Sequence, residues 1–271
     1  MHLQDTVAII TGGANGIGAG IVEQFAEERA KHVRILDIDE GAGIILQDKL
    51  NQQYGNNKVK FTKCDVSDDE QLFAAFNEVQ NNFGRIDILI NNAALVVEGN
   101  SKEIQKEIDV NLTATINGTL KALELMGKDK GAEGGTVLNI SSIAGIMRLN
   151  PALLAYGATK SGVVQFSNCV GQDSYYSKTG VRVIVICLGA TNTDIFGKLR
   201  SFDPDLITKF GDLLKTLPIQ SVESVARGVV EICNTAESGS TWIIQNNAAP
   251  QDLTAVMNNF YDSVQSAIAY V

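Results

Sequence analysis

The stretch AYGATKSGVVQF, residues 155–166, places Tyr156 and Lys160 four positions apart in an otherwise apolar, helix-forming segment. On a helix, residues i and i+4 share one face, so the phenol and the ammonium would stand side by side. A phenol with its ordinary pKa of about 10 is a poor base near neutrality, but a neighbouring cation favours the phenolate and makes a proton acceptor of it. A hydroxyl that grips the oxygen being deprotonated would complete such a site. Ser142, in NISSIAG, lies 14 residues upstream at the end of a β-branched run, close enough for a loop to fold it back beside the phenol. Taken alone, Tyr156 and Lys160 form an ordinary surface pair on an amphipathic helix, so the reading depends on what accompanies them.

The first accompaniment is TGGANGIG, directly after the first β-branched run, with Gly12, Gly16 and Gly18 where a strand turns into a helix. Glycine permits positive φ and a close backbone approach, and the helix that follows offers unpaired N–H groups and a partial positive charge to a pyrophosphate. Glycines also mark plain tight turns. The second is Asp37, 19 residues after Gly18 at the end of the next run. A carboxylate there accepts hydrogen bonds from both adenosine ribose hydroxyls of NAD and repels the 2′-phosphate of NADP. Asn15 and Ile38 are uncharged, and Arg34 should face the other side of its strand, so the sequence predicts NAD. Asp65 and Val66, in CDVS, would meet the adenine, although Asp65 or Ser67 also reads as a helix cap.

Metal chemistry finds little support: the two histidines, His2 and His32, are distant in sequence from these motifs. The four cysteines (Cys64, Cys169, Cys187, Cys233) are widely spaced and without a C-x-x-C pair, which predicts buried free thiols and a reducing compartment. A net charge of −9 offers no broad cationic surface to nucleic acid or anionic lipid. No run of 18 apolar residues occurs, and MHLQDTVAII lacks the pattern of a secretory leader, so a cytoplasmic protein without membrane contact is expected.

The elements that must position these groups alternate along the chain. Short β-branched runs at 6–11, 33–38, 59–64, 86–91, 136–141, 181–186 and 241–245 are separated by helical patterns near 17–30, 40–53, 69–82, 101–127, 154–178 and 222–236. Several runs are almost continuous in Val, Ile and Leu, as in strands covered on both faces. This predicts an α/β fold, a doubly wound, seven-stranded parallel sheet flanked by helices, in a single domain over 1–271. Residues 190–218 form a long insertion, of the kind used as a lid. The tail from about 248 has Leu253, Val256, Phe260, Val264 and Ile268 at helical spacing, which predicts packing on the body or on a second subunit.

Together with NNAA (91–94), Asn111 in DVNLTAT and YGATK (156–160), these motifs resemble the short-chain dehydrogenase/reductase family over about the first 245 residues. Within it the chain looks most like the 15-hydroxyprostaglandin dehydrogenase and insect-type alcohol dehydrogenase branch. The resemblance implies a Rossmann fold with Tyr156 as general base or acid and Ser142 as the group that positions the substrate oxygen. It makes Lys160 both a ribose ligand and the group that lowers the tyrosine pKa, and Asn111 the support of a water-linked proton relay. Carried over by position, cofactor contacts fall on Gly12, Asn15, Gly16, Ile17, Gly18, Asp37, Ile38, Asp65, Val66, Asn92, Ala93, Gly189, Thr191 and Thr193, with Tyr156 and Lys160. Asn91 is implied as a brace of the central sheet and a cofactor contact. Read from the residues alone, Asn111 is a helix-interior amide bonding locally.

Three positions depart from the family's usual pattern: Ala94 in place of glycine, Leu188 in place of the proline before Gly189, and one extra residue between Ser142 and Tyr156. The branch implies a secondary alcohol oxidised to a ketone, in a homodimer or homotetramer built through helices 101–127 and 154–178. Val96, Ile143, Met147, Leu149, Leu153, Phe196 and Leu199 would line a pocket for a lipophilic substrate, or serve as lid packing. Two rival readings are an NADPH-dependent carbonyl reductase and a dinucleotide-binding regulator without turnover.

Overall fold

The computed structural model describes residues 3–148, 153–197 and 204–268. Strands β1 (Val7–Thr11), β2 (His32–Asp37), β3 (Val59–Lys63), β4 (Ile88–Asn91), β5 (Gly135–Ser142), β6 (Val181–Leu188) and β7 (Thr241–Ile244) are mutually parallel and stand in the order 3-2-1-4-5-6-7. An eighth strand, β8 (Gln251–Asp252), which the sequence reading did not include, closes the far edge antiparallel to β7. Because the seven strands run the same way, Thr11, Asp37, Asn91, Ser142 and Leu188 all end at one edge of the sheet. The order reverses between β1 and β4, and a crevice at such a switch point is where open α/β sheets bind ligands.

Alternation within the strands builds the two faces. Ala8 and Ile10 of β1 pack with Ile21, Val22 and Phe25 of α1 (Gly16–Glu27) and with Val225 and Val229 of α9 (Val222–Thr235). Val7 and Ile9 pack on the other side with Leu72 and Phe76 of α3 (Asp69–Phe83) and Ala122 and Met126 of α5 (Ala114–Met126). Helix α2 (Glu40–Tyr54) joins the first face through Leu46 and Leu50.

Several boundaries differ from the periodicity. The span 101–127 is α4 (Ser101–Ile108), a π-helical turn (Asp109–Thr113) and α5; the apolar spacing runs through the turn without a break, so it left no trace in the pattern. The span 154–178 is α6 (Leu154–Val170) and α7 (Asp173–Thr179). The break falls at Gly171, where a Cβ would lie 2.5 Å from Gly239 Cα. Residues 204–216, inside the expected insertion, form helix α8 (Pro204–Thr216). Helix α3 is capped by Asp68, which accepts the Glu70 and Gln71 N–H groups, rather than by Asp65 or Ser67. Of the cysteines, Cys64, Cys187 and Cys233 are buried and free, whereas Cys169 is free and exposed, on the outer side of α6.

The tail is helix α10 (Thr254–Ile268), but the predicted stripe faces outward: Val256, Phe260, Val264 and Ile268 are exposed. The neighbouring stripe does the docking. Met257 packs near Val163 and Val164, and the Tyr261 hydroxyl donates to Gln165 Oε1 and accepts from Asn168 Nδ2.

His32, buried at the start of β2, pairs Nδ1 with Asn57 O at 2.8 Å and has no partner for Nε2 among the described residues. Burial, reinforced by Arg34 and Lys60, pushes its pKa from 6.5 down to about 4. Between those values the unfolded chain binds a proton that the folded chain refuses, so stability falls as pH drops through that window, by up to about 3 kcal/mol. Urea unfolding near neutrality and again near pH 4 should show a loss smaller by about that amount in His32→Gln. An equal loss in both proteins would remove His32 from the account.

Candidate active site

The turn after β1 is built around backbone that admits no side chain. Gly12 (φ +63°) and Gly16 (φ +53°) take left-handed conformations, and a Cβ on Gly12 would lie 2.7 Å from Ala93 Cα. A Cβ on Gly18 would overlap the Gly12 carbonyl oxygen. Asn92 locks the turn from β4: Nδ2 donates to the carbonyls of Thr11 and Gly12, both at 3.0 Å, and Thr11 Oγ1 accepts the N–H groups of Asn92 and Ala93. Asn15, the N-cap of α1, spends its amide on Asp39 Oδ2 and gives the helix no side-chain cap, and the first turn carries no acid. The first N–H groups of α1 are thus left to an outside acceptor of negative charge. Ile17 packs its side chain against the core below the turn.

Asp37 is pre-oriented at the end of β2, with Oδ2 accepting the Ala14 N–H and Oδ1 the Asp39 N–H, each at 3.0 Å. Ile38 is 62% exposed beside it. Arg34 is turned away, as expected, onto Glu78 and Thr62. Asp65 accepts from the Ser67 N–H and hydroxyl and pairs with Lys106 at 3.3 Å; these contacts outweigh burial and hold its carboxyl below the usual range. Val66 is buried in the core next to it.

At the same edge, the strand end of β5 and the first turns of α6 meet. Ser142 Oγ accepts the Ala144 N–H at 3.1 Å and stands near enough to the Tyr156 phenol to favour its ionised form. Lys160 Nζ donates to the Ile140 carbonyl at 2.9 Å and lies 5.8 Å from the centre of the Tyr156 ring. The electrostatics differ from the sequence expectation. Burial pushes the phenol up to about 12, against the effect of the nearby Ser142 hydroxyl and with the help of Glu107. The ammonium, aimed at a carbonyl rather than at the phenol oxygen, does not bring it down. Burial also pushes Lys160 down to about 8, against the opposing effects of Cys187 and Glu107.

Asn111 sits inside the π turn, fully buried. Its Oδ1 accepts the Leu95 N–H and its Nδ2 donates to the Leu95 carbonyl, both at 2.8 Å, with a longer contact of 3.4 Å to Thr159 Oγ1. It therefore reaches α6 through Thr159. Asn91 braces the sheet, donating to Thr115 O, Thr119 Oγ1 and Asn139 Oδ1.

Beyond β6, where Leu188 replaces the usual proline, Gln220 holds the loop. Its Nε2 donates to Gly189 O, Thr191 Oγ1 and Ile244 O, and its backbone bonds Ala190 and Asn192. Thr191 Oγ1 also donates to Gly189 O. Thr193 is brought against the glycine turn, its Cγ2 lying 3.3 Å from where a Cβ on Gly16 would stand. Gln220 lies outside every motif, so no signal in the sequence marked it.

An apolar wall surrounds Tyr156, which is 7% exposed: Val96, Ala144, Leu153 and Phe210 are buried with it, and Ile195, Leu206 and Leu214 pack behind. Val96 and Leu153 were expected there. Ile143 is buried but outside this cluster, and Met147 is 55% exposed. Leu149, Leu199 and the side chain of Phe196 lie outside the described residues. Leu206, Phe210 and Leu214 were missed, although their spacing behind Pro204 is that of a helix face starting at proline. The sequence reading also passed over two buried carboxylates, Glu98 and Glu107, which stand between α4 and α6. Oε2 of Glu107 accepts the Val97 and Glu98 N–H groups at 3.1 Å, and the Glu98 carboxylate accepts the Ala155 N–H at 3.0 Å and the Tyr156 N–H at 2.8 Å. Among the described residues no group of three or more His, Cys, Asp or Glu is placed to hold a metal ion, and no helix is long and apolar enough to cross a membrane.

The profile described as "short chain dehydrogenase" matches residues 6–204. The chain is 33% identical over 237 residues to 15-hydroxyprostaglandin dehydrogenase (NAD(+)) of Rattus norvegicus, covering 86% of this chain and 87% of that one. It is 38% identical over 195 residues to the Homo sapiens protein of that name, covering 72% and 71%. To "Alcohol dehydrogenase 2" of Ceratitis cosyra it is 30% identical over 245 residues, covering 90% and 92%. Among solved structures, levodione reductase superposes with a TM-score of 0.76 at 24% identity, covering 90% of this chain and 97% of that one. A short chain dehydrogenase/reductase from Burkholderia phymatum, solved in complex with NAD, gives 0.75 at 22% identity and 86% of each chain. At such identities these two likenesses speak for the fold.

Proposed function

Because the chain belongs to the short-chain dehydrogenase family and is an oxidoreductase of that family, we propose that it is an NAD-dependent dehydrogenase. It oxidises a secondary, lipophilic alcohol to the ketone, with Tyr156 as general base. The observation that carries this reading is the meeting of Tyr156, Ser142 and Lys160 at the carboxyl edge of the sheet, beside a turn too tight for side chains.

The residues present fit a dinucleotide. Uncapped N–H groups of α1 behind Gly12, Gly16 and Gly18 suit the pyrophosphate, and Asp37 suits the ribose hydroxyls, with Ile38, Asp65 and Val66 toward the adenine. Asn92, Ala93, Gly189, Thr191, Thr193 and Lys160 hold the nicotinamide end. What NAD supplies when bound is a two-electron acceptor for the hydrogen on the carbinol carbon. Tyr156 Oη takes the hydroxyl proton, Ser142 Oγ holds the alcohol oxygen, and the wall of Val96, Leu153 and Phe210 excludes water. Lys160 favours the phenolate once its ammonium is drawn toward the phenol oxygen, and Asn111 fixes the backbone on which a proton path to solvent depends. A lipophilic substrate is supported by that wall and by relatives named for a hydroxyprostaglandin and for alcohols. The same reading carries a homodimer or homotetramer through α5 and α6, where Leu120 and Leu154 are half exposed, and a cytoplasmic location.

The test is a panel of lipid, terpenoid, steroid and short-chain alcohols assayed for reduction of NAD and of NADP side by side. NADH production from a secondary alcohol is the expected result. Preference for NADP overturns the role given to Asp37, and NAD binding without turnover of any alcohol points to a regulator. Asp37→Ala should weaken NAD binding by about a hundredfold or more, the worth of two lost hydrogen bonds to a carboxylate, and bring the two cofactors' Kd values together.

A further inference from the structure

The connection from β4 to α4 is clamped from two sides. On one side Asn111 pairs with both backbone groups of Leu95, and Glu107, four residues earlier, accepts the N–H groups of Val97 and Glu98 through Oε2. On the other side the chain takes φ +47° at Glu98, a left-handed conformation that a residue with a side chain adopts at a cost. That turn sends the Glu98 carboxylate to the head of α6. There Oε2 accepts the Ala155 N–H and Oε1 accepts the N–H of Tyr156 itself.

Helix α6 needs this because its own N-cap is Leu153, which gives no side-chain hydrogen bond. The first N–H groups of a helix require an acceptor, and a serine or aspartate at the cap position is the ordinary solution. Here the acceptor comes instead from 57 and 58 residues away, from a carboxylate 1% exposed and held in turn by a second that is fully buried. Burial pushes both carboxyls up against the N–H groups that each accepts, and the charge of Glu98 raises Glu107 further. Glu107 Oε1 has no hydrogen-bond partner among the described residues. An arrangement this costly serves more than helix capping, since it grips the peptide of the residue that carries the phenol.

We propose that Glu98, held in place by Glu107, is the positioning residue of Tyr156: it fixes the first turn of α6 so that the phenol oxygen meets the Ser142 hydroxyl and the reacting oxygen. The inference rests on the reading of Tyr156 as the base. The effect of Glu98 runs through the Tyr156 backbone, while Glu107 holds the Glu98 segment and its charge also raises the phenol.

The experiment compares Glu98→Ala with the full-length wild type in three readouts. Steady-state kinetics with the alcohol that the panel identifies should show kcat lowered about thirtyfold, somewhat less than the hundredfold that a 1 Å misplacement of a catalytic group costs. The Kd for NAD, read from quenching of the single Trp242, should stay within about twofold, because the glycine turn is untouched. The fluorine resonance of 3-fluorotyrosine at position 156, assigned by its loss in Tyr156→Phe, should shift and broaden. If Glu98→Ala does not melt cooperatively, Glu98→Gln, which keeps one acceptor oxygen, takes its place with an expected loss of about fivefold. An unchanged kcat, an unchanged resonance, or a loss of NAD binding in step with kcat each overturns the proposal, the last by making Glu98 a stability residue only. A wild type without turnover defeats the dehydrogenase reading instead, and the fluorine signal then decides the positioning by itself.

Discussion

Replacing Tyr156 by phenylalanine is expected to lower kcat for alcohol oxidation by about a thousandfold, within the range that a positioned acid or base contributes, while leaving NAD affinity within about twofold. The substitution removes one oxygen and retains the ring that packs with Val96, Leu153 and Phe210, so the apolar wall and α6 persist. Ser142 keeps its Ala144 contact and Lys160 its bond to Ile140. What disappears is the atom that accepts the proton. Burial pushes that phenol up to about 12, so the reactive phenolate is scarce near neutrality and kcat/KM for oxidation should rise with pH in the wild type. The phenylalanine protein should show a flat residual rate. Steady-state kinetics across pH, with the NAD titration alongside, check both, and a rate close to that of the wild type would exclude the phenol as the base.

The second large effect is expected at Gly18. A methyl there would overlap the Gly12 carbonyl oxygen and stand 2.7 Å from Asn92 Nδ2, and both neighbours are held by the latch that joins β1 to β4. The turn must open to accept it. Overpacking of this kind costs about 1–3 kcal/mol, and if the bound turn carries that cost, NAD binding weakens by about ten- to a hundredfold. Gly41→Ala is the matching control: it meets nothing closer than Asp39 Oδ1 at 3.7 Å, and it should bind NAD as the wild type does. Titration of the three proteins with NAD, together with their melting curves, separates a damaged turn from a damaged fold. Equal affinities would show that the turn does not form the pyrophosphate site.

Both predictions start from residues whose importance was legible in sequence, because glycine between a strand and a helix, and tyrosine with lysine at i and i+4, are local patterns. The parallel sheet was legible for the same reason: its strands are apolar runs buried on both faces. The π turn at Asp109–Thr113 was not, since one extra residue in a helical turn leaves the apolar spacing almost unchanged. In α10 the exposed stripe of Val256, Phe260 and Val264 and the docked stripe of Met257 and Tyr261 differ by one position, and periodicity alone cannot choose between them. Glu98, Glu107 and Gln220 were hidden more deeply. Their hydrogen bonds go mainly to backbone groups supplied by other segments, which no side-chain motif records. The electrostatics of Tyr156 were misjudged for a related reason: the i, i+4 spacing shows that a lysine is near, but neither that its ammonium is committed to Ile140 nor that the phenol is buried.

The central claim is that the Tyr156 phenol is the group that meets the alcohol. A crystal structure of the chain with NAD and a substrate ketone or alcohol tests it most directly. The account predicts Tyr156 Oη and Ser142 Oγ both within about 2.6–3.2 Å of the substrate oxygen, with the nicotinamide against the same carbon. A substrate oxygen held by other groups, with the phenol turned away from the nicotinamide, would contradict it.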